Sequence, residues 1–168
     1  DAEVALDSRK QIAVLAQQGG IDQAIVRAED LGRRHPLEPD VAILLATLYG
    51  HRHRLQEART TLERARQAHP HHLDLLNNLK TILDQAHDDK ATEQVLRRMI
   101  EEEPMVYDHR LKLARFHDQH HGFDHAESVL REALQVFPES EHAWLALADF
   151  LNLRRTKEAG VACLRQAA

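Results

Sequence analysis

The chain has 168 residues, 29% of them charged and only 4% aromatic, with a formal net charge of −5. That balance excludes the basic face a nucleic-acid grip needs, and the single cysteine, Cys163, excludes an internal disulfide. No apolar run reaches the roughly 20 residues of a membrane-spanning helix, so direct membrane insertion is not expected. A Cys-poor chain suits a reducing cytosol and many bacterial envelope proteins alike. The chain opens at Asp1 without methionine, so a processed or cut start is expected and localisation stays open between bacterial cytoplasm and periplasm.

Alanine, leucine, glutamine, arginine and glutamate dominate, and their side chains lose little rotamer freedom in a helix. Pro36, Pro70, Pro104 and Pro138 recur every 34 residues. Proline lacks an N–H and clashes with the preceding helical turn, so each one stops a helix. A stop at this period predicts one helix pair per period and an all-α repeat array over residues 1–168. The expected units are 5–38, 39–72, 73–106, 107–140 and 141–168, the last one incomplete. Pro39, off the period, is expected in a loop behind Pro36.

The first unit turns at Gly19-Gly20, and its first helix, around Ser8 to Leu15, is loosely patterned. The second predicts Ala42, Leu45, Ala46 and Tyr49 as the buried face of one helix and Ala58, Leu62 and Ala65 as that of the next. The third repeats this with Leu76, Leu79, Leu83, Leu96 and Met99. The fourth gives Leu113, Ala114 and His117, then Ala126, Leu130 and Ala133. The fifth gives Trp144, Leu147, Ala148 and Leu151, then Leu164 and Ala167. Ala24, Ala58, Ala126 and Gly160 recur where paired helices must approach closely. Val161, Leu164 or Cys163 is expected to lie partly exposed on the last helix, so the array is expected to continue or to self-associate there.

These residues carry a resemblance. Trp144, Leu147 and Ala148, and Tyr49, Ala58, Leu62, Ala65 and Pro70, match the tetratricopeptide-repeat motif position by position, and the chain resembles an array of five such repeats. Thr92 and Lys80 stand where the family places small residues. The resemblance implies a right-handed superhelical solenoid of stacked antiparallel helix pairs, with first helices lining a concave face. It also implies a non-catalytic protein–protein interaction scaffold that needs no cofactor.

Carried over onto this sequence, the partner-binding face takes Arg9 from the first unit and Ile43, Leu44 and Thr47 from the second. The third contributes Asn77, Asn78 and Thr81. The fourth contributes Asp108, Lys112, Arg115 and Gln119, and the fifth Asp149. Adjacent amides at Asn77 and Asn78 suit an extended peptide backbone, so the expected partner is a peptide or helix of another protein. The carboxylate clamp of chaperone-binding members is not expected, because only Asn78 and Lys112 match it while Ile43, Thr47 and Asp108 do not. An asparagine ladder is absent too, since its position reads Leu44, Asn78, Lys112 and Ala146.

Asp40, Asp74 and Asp108 recur near first-helix starts, and Arg52-His53-Arg54, His87, His120-His121 and Arg154-Arg155 mark the turns. Acid at helix starts and base at helix ends complements the macrodipole; the sharper reading is a basic edge that docks an acidic partner or a membrane surface. His53, His87 and His121 share one repeat position. Repeats stack roughly 10 Å apart, too far for that row to share one ion through bonds of about 2.0–2.1 Å. His117 and His121 are four apart and can face one side of a helix, but His117 holds the motif's aromatic position and is expected in the core. His69, His71 and His72 flank Pro70 in a loop, a place open to adventitious metal capture. With no HExxH and no Cys/His cluster, the sequence is read as having no metal site.

No phosphate loop, Gly-x-Ser-x-Gly elbow or kinase signature marks an enzyme, Cys163 reads as a buried structural thiol, and Glu101–Glu103 read as a solvated face. Two rivals to a free-standing scaffold remain. One is a regulatory or targeting segment of a larger enzyme or of an envelope export assembly for polysaccharide or protein. It draws on the arginine bias and the Ala148–Leu151 ending, which look similar to bacterial arrays. The other is a homo-oligomer formed through the incomplete C-terminal repeat.

Overall fold

The computed structural model describes residues 2–166, with side chains from residue 6 onward. These residues form ten α-helices and no strand. Five are first helices of a pair: α1 (Ala2–Gln17), α3 (Pro39–His51), α5 (Leu73–Gln85), α7 (Tyr107–His120) and α9 (Glu141–Arg154). Their partners are α2 (Ile21–Arg34), α4 (Leu55–Ala68), α6 (Asp89–Glu102), α8 (Phe123–Val136) and α10 (Lys157–Gln166). The fold is all-α, as the proline period predicts.

The prolines act as the sequence requires. α2, α4, α6 and α8 end at Arg34, Ala68, Glu102 and Val136, and a proline stands second after each end. Pro39 departs from expectation. It is the first residue of α3, where its missing N–H costs nothing and its fixed φ already suits the helix.

By their contacts the residues fall into two compact units, one up to Thr92 and one from Glu93. In the first unit α3 packs against α1, α2, α4 and α5, and Ala24, Ala28, Ala58 and Ala65 are wholly buried. Methyl-sized side chains let the axes approach, while Leu62, Leu75 and Leu76 fill the space between them. In the second unit α7 packs on α8, α8 on α9, and α9 on α10. Ala126 and Ala133 play the same part there, and Gly160 is buried where an added Cβ would lie 2.8 Å from the Ala148 carbonyl oxygen.

Most expected core residues are buried, including His117 and Cys163. Thr92, at a position for a small residue, is buried as well. One expectation needs correction, and one open between two outcomes is decided. Trp144 is half-buried because its indole N–H donates to the Pro138 carbonyl at 2.8 Å, at the helix entrance. Leu164, expected both on the buried face and as a partly exposed residue of the last helix, is 39% exposed, since Cys163 and Gly160 already form the buried edge of α10. Ala167 lies outside the described residues.

The turns also differ from a uniform row of histidines. His53 and His87 sit in the left-handed region, at φ 56° and 54°, as the residue that closes α3 or α5. His121 does not, because in that turn the positive φ falls on Gly122, at 89°. His121 therefore stays at the end of α7, its N–H on the His117 carbonyl at 2.8 Å.

Candidate interaction surface

In the first unit, the first helices α3 and α5 lie side by side. Gly50 permits the approach: a Cβ there would meet Ile82 Cδ1 at 3.1 Å. Between the two helices opens a cavity of about 230 Å³, lined by Ala46, Thr47, Gly50, His51, Asn78, Thr81, Ile82 and Gln85. Three of the residues expected on the partner-binding face, Thr47, Asn78 and Thr81, thus meet at one cavity. Ile43, Leu44 and Asn77 are not part of its lining.

The polar groups of this cavity are partly committed. Thr47 Oγ1 donates to the Ile43 carbonyl at 2.8 Å, Thr81 Oγ1 to the Asn77 carbonyl at 3.1 Å, and Asn78 Nδ2 to the Asp74 carbonyl at 2.8 Å. These bonds within each helix fix the rotamers and leave the Asn78 Oδ1 and the two hydroxyl lone pairs as acceptors. Such a lining suits N–H donors of an incoming chain. Arg9 is ion-paired with Asp40, which ties α1 to α3, so it works between repeats.

A larger cavity, about 500 Å³, opens on the other side of α3, between α2 and α4. Its floor includes Val41, Leu45 and Tyr49, and its rim Glu29, Arg33 and Arg64. Tyr49 donates its hydroxyl to Glu29 at 2.9 Å and lies under the Arg54 guanidinium at 4.4 Å. Burial, then the bond to Glu29, pushes the phenol up to about 12. The repeat motif marks Tyr49 as core, and this cavity has no signature of its own in the sequence.

In the second unit Asp108 and Lys112 pair with each other at 2.9 Å along α7. Arg115, Gln119 and Asp149 are exposed. The turn cations are also spoken for: Arg154 pairs with Asp118 at 2.6 Å, and Arg155 pairs with Asp124 and with Glu127. In the first unit Arg52 pairs with Asp22 and Arg54 with Glu57, both at 2.7 Å. These arginines at the turns thus tie neighbouring repeats or, as Arg54 does, pair with a carboxylate in the first turn of the following helix.

A third arrangement, in the second unit, gathers titratable groups. Glu93 on α6 faces His117 Nε2 at 3.8 Å and His121 Nε2 at 3.7 Å. The Arg97 guanidinium, hydrogen-bonded to Glu93, holds its carboxyl below the usual range, and burial pushes His117 down. His117 is the core residue the repeat motif predicts. The arrival of Glu93 beside it depends on how α6 meets α7, which spacing within one helix does not reveal.

Residues 108–150 match the family model described as tetratricopeptide repeat. No curated protein matches the chain. Among solved structures it is similar to a MamA protein at 15% identity, over 99% of this chain and 91% of that chain, with a TM-score of 0.68. It is similar to MamA from Desulfovibrio magneticus RS-1 at 13% identity, over 97% and 92% of the two chains, TM-score 0.66. MamA AMB-1 matches at 20% identity, over 99% and 91%, TM-score 0.62. At such identities the likeness speaks for the fold alone. The proline period, the small-residue contacts and the matched segment agree on one conclusion: residues 108–150 carry a tetratricopeptide repeat, and the chain shares the helix-pair fold of the solved structures it resembles.

Proposed function

We propose that the chain is a non-catalytic scaffold that binds a peptide or helix of a partner protein along the inner faces of its first helices. The observation that carries this reading is the cavity between α3 and α5, where Thr47, Asn78 and Thr81 converge. It is a concave feature with acceptor groups held in fixed rotamers, and preorganised polar groups lower the ordering cost of binding. The exposed Arg115 and Gln119 on α7 and Asp149 on α9 offer further polar contacts in the second unit.

The test is to identify a partner by affinity capture from the native organism and then measure its affinity for variants. Thr47→Arg and Asn78→Arg fill the α3–α5 cavity and should weaken binding by tenfold or more, on the order of 1.4 kcal/mol. Unchanged affinity in both variants removes the cavity from the reading. Arg64→Glu, on the opposite cavity of α3, tells the two faces apart: loss there alone moves the site to that side.

A second reading, self-association through the last helix pair, draws on α10. Val161 and Leu164, three residues apart on one helical face, are 47% and 39% exposed, and Leu153 on α9 is 77% exposed. Sedimentation over a wide concentration range tests it: Val161→Glu should abolish any dimer, and a parent that stays strictly monomeric removes the reading.

A further inference from the structure

Packing alone does not account for the buried imidazole of His117. Leu83 and Leu151, 34 residues before and after, hold the same repeat position and are buried. His117 is only 3% exposed, and its Nδ1 is buried without a hydrogen-bond partner. Its Nε2 stops 3.8 Å from Glu93 Oε1, beyond hydrogen-bond reach. A leucine here would avoid the desolvation of an unpaired polar nitrogen.

Nε2 faces a set of ligand-type atoms. His121 Nε2 lies 3.7 Å from Glu93 Oε2, and one ligand atom from each of Glu93, His117 and His121 lies within 4.8 Å of the others. Two imidazoles four apart at the end of α7, joined by a carboxylate from the preceding helix, form a donor set that suits borderline divalent ions. Tetrahedral bonds of about 2.0–2.1 Å place donor atoms about 3.3–3.4 Å apart, so side-chain rotation over a short distance closes the set. We propose that Glu93, His117 and His121 bind one divalent transition-metal ion of zinc type, which clasps α6 to α7.

The next repeat junction, in the same unit, holds the contrasting arrangement. Glu127 corresponds to Glu93, and Arg131 bonds it at 2.8 Å as Arg97 bonds Glu93 at 2.7 Å. Arg155 stands where His121 does and reaches Glu127 Oε2 at 3.3 Å, while Leu151 replaces His117. A fixed cation thus completes that junction. At the α6–α7 junction two imidazoles stand instead, which as neutral ligands share an added cation with the carboxylate. Arg97 holds Glu93 Oε1 through two N–H groups, which orients Oε2 toward His121. His125 is close, its ring 5.8 Å from that of His117, but its Nδ1 is engaged with the His121 carbonyl at 3.1 Å. Three protein ligands leave a fourth position for water.

The test uses the tag-free full chain, titrated with Zn²⁺ by calorimetry and with Co²⁺ by visible absorption. One ion per chain should bind, with the d–d spectrum of a tetrahedral cobalt site and a rise in thermal midpoint that a chelator reverses. His121→Ala removes an exposed side chain and Glu93→Gln keeps its shape. Each should weaken binding at least about tenfold, the loss that even a supporting partner of a ligand brings, and abolish the cobalt spectrum. His117→Leu, with the leucine of the adjoining repeats, should fold and lose the ion as well. The competing capture point is the loop around Pro70, so a variant with His69, His71 and His72 all changed to alanine should bind as the parent does. Loss of binding in that loop variant overturns the proposal. So does parental affinity in both His121→Ala and Glu93→Gln, or no binding of either ion at millimolar concentration.

Discussion

Arg52 and Asp22, thirty residues apart, meet in a two-pronged ion pair: Nε to Oδ1 and Nη2 to Oδ2, each at 2.7 Å. The contact joins the end of α3 to the start of α2, so it links one repeat to the next. Its geometry is of the kind a planar guanidinium makes and an ammonium does not. A double-mutant cycle with Arg52→Lys and Asp22→Asn should yield a coupling of at most about 1 kcal/mol, because both side chains meet water. The coupling should shrink as salt rises. A coupling that does not depend on salt would show that packing, not charge, joins the two residues.

The two left-handed histidines are a reserve of strain. A non-glycine residue in that region carries a steric cost of about 1–2 kcal/mol, part of which a glycine gives back through greater freedom when unfolded. His53→Gly and His87→Gly should each raise stability by roughly 0.5–1 kcal/mol, seen as a higher urea midpoint at unchanged slope. His121→Gly should bring no such gain, since φ at His121 is −119°.

Gly160 tests the close contact of α9 and α10. A Cβ there would fall 2.1 Å from Asn152 Oδ1, which can swing away, and 2.8 Å from the Ala148 carbonyl, which cannot. Gly160→Ala should therefore destabilise the chain by about 1–3 kcal/mol, although it improves helix propensity. Asn152→Ala should not rescue it, because the backbone contact remains. A stabilised Gly160→Ala would mean that α10 can shift at little cost.

His117 makes stability depend on pH in a stated direction. Burial lowers its folded pKa below the ordinary imidazole value of 6.5, so the unfolded chain binds the proton more readily. Its stability is complete above about 6.5 and is lost as pH falls through the lower folded value. Glu93 and Arg97 of α6, His121, and His125 of α8 face the ring and set the depth of the shift. In metal-free buffer, His117→Leu should flatten this acid-side loss and gain about 1–3 kcal/mol from removing an unpaired buried nitrogen. Denaturation curves across the acid range read both effects.

Much of the fold was legible because it follows from chain-local rules repeated at a fixed interval. A proline stops a helix wherever it falls after the first turn, so Pro36, Pro70, Pro104 and Pro138 place the helix ends without reference to any neighbour. Alanines at Ala24, Ala58 and Ala126 announce tight helix contacts for the same reason. Pro39 was misplaced because proline is equally at home in a loop and at the first position of a helix. Leu164 draws two opposed expectations because three- and four-residue spacings mark both faces of a short helix until its neighbour is known.

The interaction surface and the His–Glu cluster were only partly legible. The repeat resemblance selects Thr47, Asn78 and Thr81 as inner-face residues, yet Lys112 and Arg9 from the same selection are held in ion pairs with Asp108 and Asp40. The sequence by itself determined the helix pairs, their ends and which positions are buried, since these depend on local backbone stereochemistry and on periodic apolar spacing. Only the tertiary structure decided which inner-face residues share a cavity, which turn cations are neutralised, and that Glu93 meets His117 and His121. Those contacts depend on how far each helix slides and turns against the next, which side-chain packing between repeats settles and spacing along one helix does not encode.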